Sequence, residues 1–310
     1  MAACLEAAVN RAAWPRSASR ARLIERLRER LGGDATSWLV QFGEAVGAVA
    51  SLQPLPWDAA IYGLRMARLE TAFANGDPAR QRAAGAALLP AVLQACRRAR
   101  IQHVAARARA GDTGWAQALE TARFSYVDTT ITLAWMSGPV AGAAPPRIRQ
   151  AVDADLPALQ RIAADAMVHG RALHDPWLPA KRGRQMYRAW VTNACRGRSD
   201  AVFVWAADGP PAGLVCCNLE RGADAPVGYV DFLAVAPESQ GQGIGRALLR
   251  AAMAWLAPRA RLVEIRTQLA NTVSLILYQQ AGFRVCGPGI ALPSGHTFHA
   301  WLGRAQERKR

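Results

Sequence analysis

Lysine is nearly missing from this sequence. Lys181 and Lys309 are the only two, so almost all of the 38 basic residues are arginine. Schiff-base and other lysine chemistry therefore has little to work with. Cysteine is sparse and unpatterned. The six, Cys4, Cys96, Cys195, Cys216, Cys217 and Cys286, form no C-x-x-C pair. Adjacent Cys216 and Cys217 on a strand would face opposite sides. Reduced thiols in a cytoplasmic protein are expected rather than a disulfide framework. Long apolar runs are absent too: the stretch Ala83 to Cys96 is short and contains Pro90, and the first residues carry Glu6 without the form of a cleavable leader. No stable membrane insertion is expected. Acidic residues number 23, leaving a formal charge of +15. That balance suits a polyanionic partner. Nucleic acid is not expected, because no basic patch interleaved with aromatics appears. His296 and His299 stand apart from any carboxylate or cysteine pattern, so no metal site is expected either.

What remains is a chain of 310 residues, 51% hydrophobic, long enough for two domains. Its most informative stretch runs from Tyr229 to Trp255. Apolar Val230, Phe232 and Val235 read as a strand that stops at Pro237, which cannot donate to a ladder. Gln240-Gly241-Gln242-Gly243-Ile244-Gly245 then crowds three glycines into six positions. After it, Ile244, Leu248, Leu249, Ala252 and Trp255 recur at helical spacing. A glycine turn opening a helix lets backbone N–H groups converge at the positive end of the helix dipole, which suits a phosphate or pyrophosphate. Neither the dinucleotide-type glycine order nor the Gly-Lys-Ser/Thr of a P-loop is present.

Residues 1–49 read as a basic extension in which Leu23, Ile24, Leu27 and Leu31 line one face of a short helix. From Leu52 to Trp135 the pattern is strand, helix, strand, helix, strand, over Ile61–Leu69, Arg80–Arg97, Ile101–Arg107, Thr113–Thr121 and Tyr126–Trp135. Residues 137–146 are a linker by composition. Beyond it come a strand at Arg147–Val152, a helix from Leu156 to His169 that Asp155 can cap, and strands at Ala201–Ala206 and Ala212–Leu219. The domains are thus expected at 50–136 and 147–310. Ala99-Arg100-Ile101-Gln102-His103-Val104, a helical stretch and Phe124 faintly echo Ala260-Arg261-Leu262-Val263-Glu264-Ile265, a helix and Phe283. The first domain reads as a degenerate half-copy of the second. Where a phosphate loop would fall it has Pro78-Ala79-Arg80-Gln81-Arg82, so one cofactor site per chain is expected.

Q-x-x-G-x-G after an apolar strand, followed by Asn271, Leu277-Tyr278 and Ala281-Gly282-Phe283, resembles the acetyl-coenzyme A segment of the GCN5-related N-acetyltransferases (GNAT). The resemblance implies an α/β (α+β) fold with a mixed, splayed central sheet, preceded here by the smaller GNAT-like half-domain, and acetyl-CoA as donor. It implies cofactor contacts from Leu233, Ala234, Val235, Gln240, Gly241, Gln242, Gly243, Ile244, Gly245, Arg246, Asn271 and Tyr278. Tyr278 is the implied general acid for the leaving thiolate, an unperturbed tyrosine being protonated at neutral pH. More narrowly, R-x-x-H-D-P from Arg171, Y-x-x-W-x-x-N from Tyr187, and L-P-W-D-x-x-x-Y-G from Leu55 resemble the dTDP-fucosamine acetyltransferases over roughly Leu52 to Trp301. Arg171-Ala172-Leu173 departs from that group's Arg-Phe. This resemblance implies a small nucleotide-sugar acceptor, a homodimer, and acceptor contacts from Arg171, His174, Tyr187, Trp190 and Asn193. Asp128 falls at the group's carboxylate, where it could take the amine proton through a water. Each acceptor candidate has a packing alternative. An acetyltransferase acting on a protein or other small amine, and a non-catalytic acyl-CoA sensor, are the competing readings.

Overall fold

The computed structural model describes residues 36–42, 45–73, 76–136, 147–206, 209–220, 226–285 and 294–303. The helix expected over Leu23–Leu31 and the linker at 137–146 lie outside them. Two compact units divide the chain, one of Met1–Thr130, Asp175–Pro179 and Cys286–Arg310, the other of Ile131–His174 and Ala180–Val285. Both are discontinuous in sequence, where sequence alone suggested one boundary at the linker. No described helix is long and apolar enough to cross a membrane.

The first unit holds β1 (Thr36–Phe42), β2 (Ala45–Pro54), α1 (Pro56–Tyr62), β3 (Met66–Phe73), α2 (Pro78–Arg98), β4 (His103–Arg109), α3 (Thr113–Thr121) and the first residues of β5 (Ser125–Trp135). β1, β2 and β3 pair antiparallel, and β3 with β4 parallel. Two expectations change here. Residues 36–42 and 45–49, read as part of an extension, are sheet: Ala48 and Val49 are buried opposite β3. The strand read over Ile61–Leu69 is a short helix followed by β3. Pro56 starts that helix, Gly63 ends it at φ 69°, and Ile61 and Tyr62 are its buried face. In so short a helix the apolar residues fall too close together to show a period.

The second unit holds β6 (Ile148–Gln150), α4 (Leu156–Ala166), α5 (Arg171–His174), α6 (Ala180–Asn193), β7 (Ala201–Trp205), β8 (Gly213–Glu220), β9 (Val227–Val235), α7 (Ile244–Leu256), β10 (Leu262–Gln268), α8 (Thr272–Gln280) and β11 (Arg284–Val285). β6 to β9 pair antiparallel in order, β9 and β10 parallel, and β11 pairs with Ala134 and Leu133 of β5. Leu248, Leu249, Ala252 and Leu256 of α7 pack on Val230, Val263 and Ile265. Asp155 does not cap α4. Arg149 holds its carboxylate with two bonds, 2.6 and 2.8 Å, and the Val152 N–H adds a third at 2.9 Å.

The succession β3-α2-β4-α3-β5 has the same order and the same parallel first pair as β9-α7-β10-α8-β11. The half-copy expected from the faint sequence echo is thus an architectural one. One strand differs. β12 (Gly295–Trp301), expected to finish the second domain, belongs to the first unit, antiparallel to β4 on one edge and to β5 on the other. Phe298 and Ala300 complete the core formed by Leu69, Leu89, Trp115 and Leu119. Alternation along GHTFHAW says that it is a strand, but period 2 carries no information about which sheet accepts it.

Candidate active site

β9 and β10 separate partway along. Their parallel ladder pairs Leu262 with Val227 and continues to Ile265 with Val230, then stops, although β9 runs on to Val235 and β10 to Gln268. Past that point the β10-facing backbone edge of β9, including Leu233, Ala234 and Val235, is released from the ladder, while the other edge stays bonded to β8 as far as the Gly213–Val235 pair. A bulge marks the start of the splay. Cys216 pairs with Phe232 and Cys217 with Val230, so Asp231 is the extra residue. It also reverses the alternation: Val230, Leu233 and Val235 pack on the α7 side, and Phe232 turns to the other face.

Beyond β9, Gln240, Gly241, Gln242 and Gly243 form an exposed turn into α7. Gly243 is the N-cap at φ 78° and Gly241 has φ 77°, conformations that L side chains rarely adopt. The Gln240 side chain braces the turn by donating to the Val235 carbonyl at 3.2 Å. The first bond of α7 runs from the Ala247 N–H to the Gly243 carbonyl, so the N–H groups of Ile244, Gly245 and Arg246 have no intrahelical acceptor. Ile244 itself is buried and anchors the helix. A Cβ built on Gly245 would lie 3.5 Å from Leu277, 3.8 Å from Val235 and 3.9 Å from Leu233. Arg246 reaches Gln280 at 2.9 Å. The start of α7, the end of β9 and α8 therefore converge, with backbone donors and the positive helix end at the mouth of the splay. That set fits a pyrophosphate on an extended chain. Nothing equivalent exists at α2 in the first unit. There the Asp77 carboxylate accepts from the Ala79 N–H at 3.0 Å, so an anion of the chain's own already occupies the helix end.

Residues 167–283 match the profile of the Acetyltransferase (GNAT) family. These residues form a GNAT acetyltransferase domain. It is an acyltransferase whose acetyl donor is acetyl-CoA. The chain is 28% identical over 239 residues, 76% of its length and 94% of the relative's, to the dTDP-fucosamine acetyltransferase of Escherichia coli O6:H1. Among solved structures it resembles a GCN5-related N-acetyltransferase from Sphaerobacter thermophilus, with TM-score 0.61, 19% identity, and coverage of 97% of this chain and 90% of that one. A tandem GNAT protein from the clavulanic acid biosynthesis pathway gives TM-score 0.59 at 17% identity, covering 98% and 94%. At these identities the likeness is one of fold, and it spans both units.

In the GNAT domain Tyr278 lies on α8, 5% exposed, beside Phe283. Burial pushes its hydroxyl up to about 12, with a hydrogen bond to Ser274 pulling the other way. It is therefore held protonated. Asn271 caps α8, its side chain accepting from the Ser274 N–H at 3.2 Å. Among the acceptor candidates, Arg171 and His174 are exposed on α5, and His174 Nε2 is 2.9 Å from the Val168 carbonyl. Asn193 is half-buried at the end of α6. Tyr187 stacks on Trp190, and both lie against Phe232 of β9, Trp190 edge-on at 5.4 Å. The aromatic pair thus packs α6 onto the strand that leads into the splay. Phe232 takes part in this grouping although period-2 counting puts it on the face of Val230; only the bulge reveals it.

Asp128 lies in the first unit, on β5 opposite Thr297. It is 8% exposed, and neither carboxylate oxygen has a hydrogen-bond partner. His299, read from sequence as remote from any carboxylate, faces one in the fold. With His103 it contacts Oδ2 of Asp175, all three buried. Sequence separations of 72 and 124 residues conceal that cluster.

Proposed function

We propose that this chain transfers acetyl from acetyl-CoA to the 4-amino group of a nucleotide-linked amino-dideoxy sugar, a step toward surface polysaccharide. The observation that carries the acceptor class is the extent of similarity to the fucosamine enzyme. Its 239 matched residues exceed the whole second unit, so the likeness includes the first unit and is not that of the acetyl-CoA machinery alone. Bound acetyl-CoA supplies a thioester to be attacked by a neutral amine. The α7 start, with Gly241, Gly243, Gly245 and the N–H groups of Ile244 to Arg246, holds the pyrophosphate. The freed edge of β9 from Leu233 to Val235 offers backbone groups to the pantetheine arm and an N–H to the developing oxyanion. Tyr278 donates to sulfur as the C–S bond breaks. With its hydroxyl pushed up to about 12 by burial, well above an ordinary thiol, complete proton transfer to a free thiolate would run uphill. Its contribution is therefore a proton offered while charge builds on sulfur. The proton that the amine loses is assigned in this reading to Asp128, a buried carboxylate with two unused oxygens, through a water.

Arg171, His174 and Asn193 are the acceptor contacts of this reading, and Tyr187 and Trp190 fix their helix. The test is thiol release from acetyl-CoA with dTDP-linked 4-amino-4,6-dideoxyhexoses, the corresponding free sugars, and small amines or peptides. Turnover confined to the nucleotide-linked sugars is expected, because the nucleotide supplies binding energy that positions the amine. Equal use of free sugars, or preference for peptide amines, would refute the assignment in favour of another GNAT acceptor.

A further inference from the structure

The first unit contains a buried constellation to which the proposed acetyl transfer assigns no role. His103 on β4 and His299 on β12 lie on one sheet face, because Trp301 pairs with His103 and His299 sits two residues back along the same strand. Their rings meet edge-on at 4.6 Å between centroids. Asp175, from the short segment that joins this unit, aims Oδ2 at both: His103 Nε2 is 2.8 Å away and His299 Nδ1 is also in contact. Oδ1 accepts from the Trp177 N–H at 2.8 Å, which fixes the carboxylate plane. The three residues are between 1% and 3% exposed, and one donor atom from each lies within 4.8 Å of the others.

We propose that His103, Asp175 and His299 bind a divalent transition ion of the zinc class, which clasps β4, β12 and the Asp175–Pro179 segment together. Two imidazole nitrogens and a carboxylate oxygen are a donor set that such ions favour over magnesium or calcium. Metal–ligand bonds near 2.1 Å place tetrahedral donors about 3.4 Å apart, so His103 Nε2 and Asp175 Oδ2 must separate by about 0.6 Å, and the closer His299–Asp175 contact by more. The proton change at His103 is an exchange. For its Nε2 to present a lone pair, the ring proton must sit on Nδ1, which has no partner now, and the hydrogen bond from Nε2 to Asp175 Oδ2 gives way to a bond to the metal. The Trp177 N–H bond to Asp175 acts as the outer support that orients a ligating group. Burial of all three donors keeps substrate away from the ion, so its assigned role is to hold the fold together.

Cobalt(II) and zinc(II) titration of the full-length, chelator-treated protein tests this. One equivalent of cobalt should give visible d–d bands of a tetrahedral centre without thiolate-to-cobalt charge transfer, which separates this site from the cysteines. Zinc at about a hundredfold excess over its Kd should raise the melting temperature by ~5 °C or more. Asp175→Asn, close in shape to the native residue, and His299→Ala should each lower affinity at least tenfold, whereas His169→Ala with His296→Ala should leave one equivalent bound. The wild-type protein alone can overturn the proposal: no saturable d–d spectrum and no zinc-dependent melting shift would reduce the cluster to a hydrogen-bonded triad. So would cobalt binding that survives in both ligand variants.

Discussion

Tyr278 packs in the core and, in the proposed reaction, donates a proton, two roles that sequence pattern cannot separate. Its ring belongs to the core around Phe283 and Leu249, while burial keeps its hydroxyl protonated far into alkaline pH. Tyr278→Phe is therefore expected to lower kcat by about 10²-fold with little change in acetyl-CoA affinity, measured by steady-state kinetics and calorimetry. Because the hydroxyl titrates near 12, the pH–rate profile of the wild-type enzyme should show no alkaline limb from this residue below about pH 11; a limb near 10 that disappears in the phenylalanine variant would contradict the burial argument. Asp155 gives a prediction of opposite sign. Its hydrogen bonds from Arg149 hold its carboxyl below the usual carboxylate range, against the effect of burial. The stability it contributes is present above the unfolded value of about 4 and is lost as pH falls through the lower folded value. Asp155→Asn should cost about 1–2 kcal/mol at pH 7, modest because Arg149 stays partly exposed. Denaturant melts at pH 7 and at about pH 2 should show the difference shrinking in acid. At this scale, the Asn271 cap was legible because a local motif carries it, and Asp155 was misread because a cap and an ion pair call for the same residue type.

At the scale of elements, the turn from β9 into α7 was the most legible feature, since glycine spacing and helical period are both local. Its glycines are not equivalent. Gly243 needs its identity for a φ of 78°, whereas a Cβ on Gly245 meets only ordinary contacts. Gly245→Ala should keep the melting temperature and weaken acetyl-CoA binding, while Gly243→Val should lose both binding and stability. Calorimetry beside thermal melting distinguishes them, and full affinity in a well-folded Gly243→Val protein would remove the cofactor from this turn. The splay itself was implied only by resemblance, because a ladder that stops at Ile265 and Val230 leaves no mark on composition. The misjudged start of the first unit has a direct consequence. Removing residues 1–49 takes β1 and half of β2, with buried Ala48 and Val49, and should unfold the first unit.

For the whole molecule, two repeats of one strand-helix pattern were visible in sequence, but the place of the last strand was not. Local patterns specify a strand; its partners are chosen by the shape of the core it completes. β12 lies between β4 and β5, opposite both His103 and Asp128. It is also made only after the whole of the second unit. During synthesis the first unit must therefore wait, with the facing edges of β4 and β5 exposed for as long as the entire second unit takes to be made, although domains made first commonly fold first. A nascent chain arrested just short of Gly295 should accordingly present a protease-sensitive first unit beside a second one that can already fold. Synthesis of the final strand thus acts as a check on completeness, since no prematurely ended chain can close the sheet around Asp128.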